Sequence, residues 1–486
     1  MASSTIVSAA LTLVLAFTSG LVLISAPAPM AQAQPSPDHL RRADSLFAEF
    51  TGRDSPGLAV AVVRDGKVVF TKGYGLANLE HQIPITPATV FDVASLSKQF
   101  TGLGVAMLVQ QGKVALSDDI RKYIPELQLM PQPITVDHLV HHTSGMRDWP
   151  GTLTLAGWRY DDVISFDQIL TMAYQQKTLN FPPGSEYTYS NTGYNLLAEM
   201  VKRVTGTSFR TWTDDHIFRP LGMTHSVFRD DHQLIVPQRA LGYSRVGANG
   251  PWRGVTNNLT ALGSSSLMSS ADDMARWLIN FDDARVGGSG PKALMRTRGV
   301  LTNGSEIPYA FGISHGTYRS APTLSHSGSW AAFASFLVQF PQQRAGVVVL
   351  ANTPSVNASR AAFALADIFL GDALGVAPVA LPTTSSPPPL LERAATPPVA
   401  LAEFAGTYES DELGIAYPVE VRGTQLIVRS RRHGDIPLQH RGRDDFSGAL
   451  GGLRSVQFQR DGSGRVVGFA VTIDERSRDI RFVKHQ

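Results

Sequence analysis

A serine and a lysine three residues apart occur twice in this chain, as Ser95 with Lys98 and as Ser289 with Lys292. Residues i and i+3 lie on one face of a helix, so there the amine can reach the hydroxyl and take its proton. A nucleophile for acyl transfer can be made in this way. Chance alone supplies on the order of one such match in a chain like this, so the structural context has to decide between them.

The context favours Ser95. The first pair opens a segment whose apolar residues recur at helical spacing, namely Leu96, Phe100, Leu103 and Met107. With Gly112 as a stop, this pattern predicts a helix over residues 95–111. The second pair lies in a glycine- and proline-rich stretch at 287–291, which predicts no regular helix. Taken alone, Ser95 is also compatible with a helix cap.

A third candidate nucleophile is Ser314, in the G-x-S-x-G match at 312–316. That motif acts where a strand turns sharply into a helix. The residues that follow, 317–322, are typical of a turn and not of a helix. The required context is missing, which argues against Ser314 as the nucleophile.

Two further short motifs carry groups that could assist a serine. Tyr189 and Asn191 follow the turn-forming sequence FPPG, so a loop should present them. A phenol can shuttle a proton, and an amide can bind a carbonyl. His326 and Gly328 stand where a strand is predicted to begin. The histidine can donate a hydrogen bond, and the glycine lets a ligand approach the backbone.

The composition narrows the class of protein. The chain has 486 residues, a formal net charge of +2 and no cysteine. The charge gives no reason to expect nucleic acid or an anionic membrane as a partner. The missing cysteines exclude a thiolate nucleophile and cysteine-ligated metal. The expected partner is a small-molecule or short-peptide substrate.

The N-terminal segment has the form of an export signal. Residues 1–34 contain no charged side chain, and an apolar run leads to Ala31-Gln32-Ala33, a small-x-small cleavage pattern. The alternative is an uncleaved anchor, but the run is short for a spanning helix. We therefore predict a signal peptide over 1–33, export to the periplasm or beyond, and no membrane span after cleavage.

The remaining chain divides into two domains joined by a linker. Residues 34–374 combine strands at both ends with helices between, which predicts one α/β domain. Residues 375–400 are rich in Pro, Ser and Thr and predict a linker. Residues 401–486 alternate in short runs separated by turns, which predicts a small all-β barrel domain.

The motifs SLSK, YSN and HSG occur in that order along the chain. Together they resemble the serine β-lactamase and penicillin-binding-protein superfamily, and most of all its class C β-lactamase and DD-peptidase branch. Further segments that match are LVHHTSG at 139–145, FPPG at 181–184, RPLGM at 219–223 and SSADDMARW at 269–277. The resemblance covers roughly residues 40–370. It implies an α+β fold, with an antiparallel sheet and a helical subdomain, followed by a lipocalin-like barrel.

The resemblance also implies roles. Ser95 would attack a carbonyl and form an acyl-enzyme, with Lys98 and Tyr189 handling its proton. Which of those two is the base stays open. Asn191 would bind Lys98 and a substrate amide.

The resemblance implies an oxyanion hole as well. The backbone N–H groups of Ser95 and Ser329 would form it, while His326 and Gly328 line the site. No cofactor is expected. The histidines at 138, 141 and 142 fall on a family segment, so no metal is expected either.

One departure bears on the substrate. Many β-lactamases have K-T-G where this chain has His326-Ser327-Gly328. Histidine is mostly neutral at pH 7, whereas lysine is a permanent charge for the β-lactam carboxylate. The change favours an esterase, an amidase or a D-amino-acid peptidase. A β-lactamase proper and a catalytically silent receptor for cell-wall ligands are the alternatives.

Overall fold

A computed structural model of the chain describes residues 35–52, 54–247, 250–375, 400–449 and 452–485. The predicted signal peptide and nearly all of the predicted linker lie outside the described residues. Among the residues described, no helix has the length and apolarity needed to cross a lipid bilayer.

The large domain contains all of the α-helices in the described ranges. They are α1 Pro37–Leu46, α2 Ser97–Gln110, α3 Val136–Val140, α4 Trp149–Leu155, α5 Phe166–Gln175, α6 Asn191–Thr205, α7 Phe209–Thr213, α8 Arg219–Leu221, α9 Ala271–Asp283, α10 Ser289–Leu294 and α11 Ala358–Phe369.

Its strands belong to one principal sheet and several small ones. They are β1 Leu58–Arg64, β2 Lys67–Tyr74, β3 Leu76–Asn78, β4 Ile83–Pro84, β5 Val90–Asp92, β6 Val227–Phe228, β7 Gly242–Arg245, β8 Trp252–Val255, β9 Leu267–Ser270, β10 Ser314–Tyr318, β11 Ala321–Trp330, β12 Phe333–Phe340 and β13 Ala345–Ala351. The principal sheet has the order β10-β11-β12-β13-β1-β2, so the two ends of the domain complete one sheet.

Strand β1 explains why this sheet is covered on both faces. Its side chains alternate, with Leu58, Val60 and Val62 in one apolar core and Ala59, Ala61 and Val63 in another. The first core also contains residues of α1 and α11, and the second contains residues of α2 and α9. A strand that is buried on both sides reads as a continuous apolar run, as LAVAVV does.

Most of the predicted elements of this domain are confirmed. The hairpin turn lies at Asp65-Gly66, and both residues have the positive φ that a two-residue turn of this type needs. The predicted helix at 95–111 is present as a 3-10 turn, Ala94–Leu96, followed by α2.

The prediction for the second S-x-x-K pair was wrong, because Ser289–Leu294 forms helix α10. The helix tolerates Pro291 in its first turn, where a backbone N–H would have no helical partner in any case. Gly288 precedes it as the N-cap residue, with φ of 81°.

The C-terminal residues form the predicted barrel, which is closed and antiparallel and has eight strands. The strands are β14 Gly406–Ser410, β15 Ile415–Arg422, β16 Gln425–Ser430, β17 Gly434–His440, β18 Asp445–Gly448, β19 Ser455–Arg460, β20 Val466–Thr472 and β21 Ile480–Lys484. Aromatic side chains such as Phe404, Phe458 and Phe469 fill its interior. Closure leaves the barrel without a free strand edge.

Arg147 of the large domain makes a buried polar contact with the barrel, and its side chain is only 2% exposed. Its guanidinium pairs with Glu412 and donates to the backbone oxygen atoms of Arg478 and Asp479. A further bond between the two domains comes from Tyr417 of the barrel, whose hydroxyl donates to Leu155 O at 2.6 Å. Buried polar contacts of this kind fix the orientation of the two units.

Replacement of Arg147 by leucine should loosen the barrel. It leaves the mostly buried Glu412 carboxylate unpaired, which costs about 3–5 kcal/mol. We expect a clear fall in the Tm and faster proteolysis between the two domains. Arg432→Gln is the control, because its exposed pair with Asp162 should contribute only about 0–1 kcal/mol. Equal effects of the two substitutions would contradict this account of the interface.

Candidate active site

Ser95 lies in the 3-10 turn between β5 and α2. The preceding residue, Ala94, has φ of 48°, in the left-handed region that non-glycine residues seldom adopt. Its N–H donates to Asp92 Oδ1 at 2.8 Å, which holds the turn in place. Such strained residues cluster at functional sites. Leu96 occupies the cap position of α2 without a side-chain cap bond, so Ser95 does not act as the cap.

Lys98 is the most enclosed group of the site, with no exposed surface. Its Nζ lies 3.1 Å from Ser95 Oγ, 2.7 Å from Asn191 Oδ1 and 2.7 Å from Ser264 O. The last two atoms are acceptors only, so they use two N–H bonds of the amine. The third position of the nitrogen faces the serine hydroxyl.

The protonation state of Lys98 follows from its burial. Removal from water disfavours the charged form, and this lowers the pKa of the amine well below its usual value. The nearby Asp148 acts in the opposite sense, because a carboxylate favours the ammonium form. A neutral Lys98 presents a lone pair to the Ser95 hydroxyl, which is the arrangement a base requires.

Tyr189 lies on the loop before α6 and lines the same cleft as Ser95. The Lys98 amine lies 4.8 Å from the centre of its ring. The His142 ring packs 4.3 Å away, and His142 Nδ1 accepts from the backbone N–H of Ser190 at 3.2 Å. Burial raises the pKa of Tyr189 above its usual value, so the phenol stays protonated and can donate to a leaving group.

Asn191 is the first residue of α6 and connects Lys98 to a buried carboxylate. Its Oδ1 accepts from Lys98, while its Nδ2 donates to Asp148 Oδ2 at 3.1 Å. Its backbone N–H donates to Asp148 Oδ1 at 2.8 Å, which suits an anion at a helix N-terminus. The orientation of the amide is therefore set from both ends. The predicted contact between Asn191 and Lys98 is present.

Strand β11 passes beside the turn that contains Ser95, with Gly328 at the point of contact. A Cβ at this position would lie 2.3 Å from Val93 O and 3.1 Å from Ser95 N, so only glycine fits. The neighbouring strand β10 pairs with β11 only as far as Ser325. One edge of β11 beyond Ser325 therefore has no strand beside it among the described residues, and that edge lies at the cleft.

His326 is held by two bonds within the protein. Its Nδ1 lies 2.6 Å from Ser327 O, and its Nε2 lies 2.9 Å from the Tyr309 hydroxyl. A carbonyl only accepts, so Nδ1 carries the proton and Nε2 accepts from Tyr309. The hydrogen-bond donor that the sequence predicts is thus directed at the protein and not at a substrate. Burial lowers the pKa of His326 to about 3, so the ring is neutral.

A cleft of about 580 Å³ is lined by Ser95, Tyr189, Asn191 and His326. Ser329 lies on the wall of this cleft and is exposed. Ser314, on strand β10, also lies on the wall but is half-buried. Two residues of the barrel, Glu475 and Arg476, complete the cleft. A larger cleft of about 800 Å³ lies between the end of α4 and the barrel, but it contains none of these chemical groups.

The competing candidates lack a comparable setting. Lys292 Nζ donates to Asp282 O at 2.6 Å, so its amine is engaged away from Ser289. Ser314 begins a strand that continues to Tyr318, without the helix of a nucleophile elbow. Within the described ranges, no three His, Asp or Glu side chains are grouped so that they could hold a metal ion.

Sequence reasoning missed several residues of the site, among them Asp148, Ser264 and Arg476. Asp148 precedes Trp149-Pro150, a helix-start signal that could have marked it as the N-cap residue. Ser264 contributes only a backbone oxygen, which carries no side-chain signal. Arg476 comes from the other domain, and its position could not be read from local sequence.

The comparisons with known proteins agree with this fold. The Beta-lactamase family model matches residues 43–369, well over half of the chain, and the chain belongs to that family. A D-aminopeptidase of Gluconobacter oxydans (strain 621H) is 31% identical over 379 residues, which are 77% of this chain and 66% of that protein. The chain thus spans just under two thirds of the length of this curated relative.

Solved structures extend the similarity to the barrel. The octameric penicillin-binding protein homologue from Pyrococcus abyssi covers 92% of this chain and 100% of its own, with a TM-score of 0.60 and 23% identity. The D-amino acid amidase from Ochrobactrum anthropi SV3 covers 69% of this chain and 98% of its own, with a TM-score of 0.58 and 20% identity. At these identities the likeness concerns the fold alone.

The state of His326 can be measured. The pKa of His326 is about 3 in the folded protein and about 6.5 in the unfolded chain. As the pH falls, the unfolded state therefore takes up the proton before the folded state does. His326 should therefore lower the stability progressively as the pH falls from 6.5 towards 3. Nitrogen-15 NMR of labelled histidine should show a neutral ring protonated at Nδ1 between pH 8 and 5. A midpoint near 6.5, or a ring protonated at Nε2, would refute this arrangement.

Proposed function

We propose that this protein is an exported serine hydrolase that cleaves an ester or amide bond through an acyl-enzyme on Ser95. The observation that carries the proposal is the position of the Lys98 amine. Asn191 and Ser264 use two of its bonding directions, and the third faces Ser95 Oγ. A serine beside a desolvated amine is an activated nucleophile.

In acylation, neutral Lys98 takes the hydroxyl proton as Ser95 Oγ bonds to the substrate carbonyl carbon. The π electrons of the carbonyl move to its oxygen, where the backbone N–H groups of Ser95 and Ser329 are the proposed donors. Collapse of this intermediate restores the carbonyl and breaks the bond to the leaving group. Tyr189 protonates the leaving group, and the proton held by Lys98 replaces the one that Tyr189 gives up.

Deacylation runs the same steps with water. A water molecule attacks the acyl carbon and passes its proton to the Lys98–Tyr189 pair, and Ser95 leaves with a proton from that pair. The acid product then leaves, and the free enzyme is restored.

The substrate can be held along strand β11. The free edge of this strand offers backbone groups along which an extended substrate can lie.

We propose D-amino-acid amides and short D-peptides as the preferred substrates. Neutral His326 gives no permanent cation for a β-lactam carboxylate. The Glu475 carboxylate lines the cleft and suits the free ammonium of an amino-acid substrate. The similarity to a D-aminopeptidase points in the same direction. The signal-like residues 1–33 support export to the periplasm or beyond.

Substitution of Ser95 by alanine should lower kcat/KM by about 10³-fold or more, because within the described ranges Ser95 supplies the one hydroxyl that is hydrogen-bonded to the Lys98 amine. Fluorophosphonate labelling with peptide mapping should place the adduct on Ser95. Ser289→Ala and Ser314→Ala are the matched controls and should still be labelled. An adduct on either of those serines, or one that survives Ser95→Ala, would refute the assignment.

The substrate class is tested with the same preparations. The assay compares D-amino-acid p-nitroanilides, their L forms, p-nitrophenyl esters and a chromogenic cephalosporin. We expect the D-amino-acid compounds and esters to turn over faster than the cephalosporin, and every activity to vanish in Ser95→Ala. Rapid turnover of the cephalosporin alone would show a β-lactamase proper. Binding of peptidoglycan fragments without any turnover would show a receptor.

A further inference from the structure

The turn between β20 and β21, residues 473–479, is the part of the barrel that reaches the active site. The backbone oxygen of Arg476 accepts from Asp148 N at 3.0 Å and from Asn180 Nδ2 at 2.8 Å. Asn180 Oδ1 accepts in turn from the backbone N–H of Arg478 at 2.9 Å. Three bonds from the large domain thus hold this turn in one position.

The side chain of Arg476 lies near three groups of the site. One of them is the exposed carboxylate of the neighbouring residue Glu475, whose Oε1 lies 3.8 Å from Arg476 Nε. Arg476 Nη1 lies 3.8 Å from Asp148 Oδ2, and the guanidinium lies 5.3 Å from the centre of the Tyr189 ring. The Asp148 side chain is 6% exposed, whereas that of Arg476 is 43% exposed. Arg476 is therefore a cation at the wall of the cleft that pairs with one buried carboxylate, Asp148, and with one exposed carboxylate, Glu475.

Asp148 presents a difficulty for the mechanism. It is buried beside Asn191, which binds Lys98, and a carboxylate in that place favours the charged ammonium form of Lys98. An ammonium has no lone pair and cannot accept the proton of Ser95. A second cation that binds the carboxylate removes part of this influence.

On the basis of the proposed function, we propose that Arg476 is a positioning residue, which binds the Asp148 carboxylate and so leaves Lys98 free to accept the proton of Ser95. The barrel then belongs to the catalytic unit, because it supplies a charge that the large domain needs. Arg476 itself bonds to neither the serine nor the amine.

The charges around Lys98 are consistent with this role. Asp148 raises the pKa of Lys98 and Arg476 lowers it, as their signs require. Two tyrosines also face the amine, Tyr189 and Tyr194, with ring centres at 4.8 and 5.7 Å from Lys98 Nζ.

The two histidines near the amine, His142 and His326, are neutral, because burial lowers the pKa of each. Asp148 and Arg476 are thus the two charged groups that shift the pKa of Lys98 in opposite directions.

The test is the pH profile of kcat/KM for Arg476→Gln with the best substrate of the assay above. Loss of the cation should raise the pKa of Lys98 and move the acid limb to higher pH by about one unit. On that limb kcat/KM falls about tenfold, and it recovers as the pH rises. The change should lie in kcat more than in KM. Arg476→Lys keeps the charge and should keep the profile.

Arg478→Gln is the matched control. It removes the same charge from the same turn, but Arg478 pairs with Glu186 outside the cleft. Its profile should match that of the unmodified protein.

Several results would overturn the role of Arg476. One is an unmoved acid limb in Arg476→Gln, and another is a rise in KM alone, which would make Arg476 a substrate-binding group. An Arg476→Lys profile displaced as far as that of Arg476→Gln would do the same. Full activity of Ser95→Ala would instead refute the proposed function, so the two failures are distinguishable.

Discussion

The amine of Lys98 has no exposed surface, and the rest of the site depends on that burial. A charged amine without water is costly unless anions and acceptors surround it. Two of the neighbours are the neutral oxygen atoms of Asn191 and Ser264, which suit an uncharged amine as well as a charged one. The carboxylate of Asp148 lies beyond Asn191, which separates it from the amine, and it pairs with a cation of its own, Arg476. The protein thus encloses the amine without fully compensating its charge.

This constraint explains why distant segments converge. Helix α2 supplies the lysine, α6 begins with the amide, and the segment before β9 supplies a carbonyl. Gly312 packs so closely that a Cβ there would lie 2.5 Å from the backbone of Lys98, and its φ is 74°. The first glycine of the G-x-S-x-G match thus serves the packing of α2. The motif at Ser314 has a structural cause that is unrelated to an elbow.

Local patterns predicted the elements that depend on local physics. The alternation of β1, the turn at Asp65-Gly66 and the apolar spacing after Ser95 each specify one kind of structure, and those elements are present. The error at Ser289 came from treating Pro291 as a helix breaker, whereas the first turn of a helix tolerates it. The directions of the His326 nitrogens depend on Tyr309 and on the Ser327 carbonyl, which no spacing rule reveals. Arg476 is separated from Asp148 by more than three hundred residues, so only the folded chain brings them together.

We infer that Lys98 is neutral when Ser95 reacts. A direct measurement is NMR of the protein labelled with carbon-13 at the lysine Cε, with Lys98→Arg used to assign its signal. The account predicts that the Lys98 signal titrates far below the pH at which the exposed lysines titrate, with the amine uncharged in the pH range of activity. A Lys98 signal that stays in the ammonium form together with the exposed lysines would contradict it.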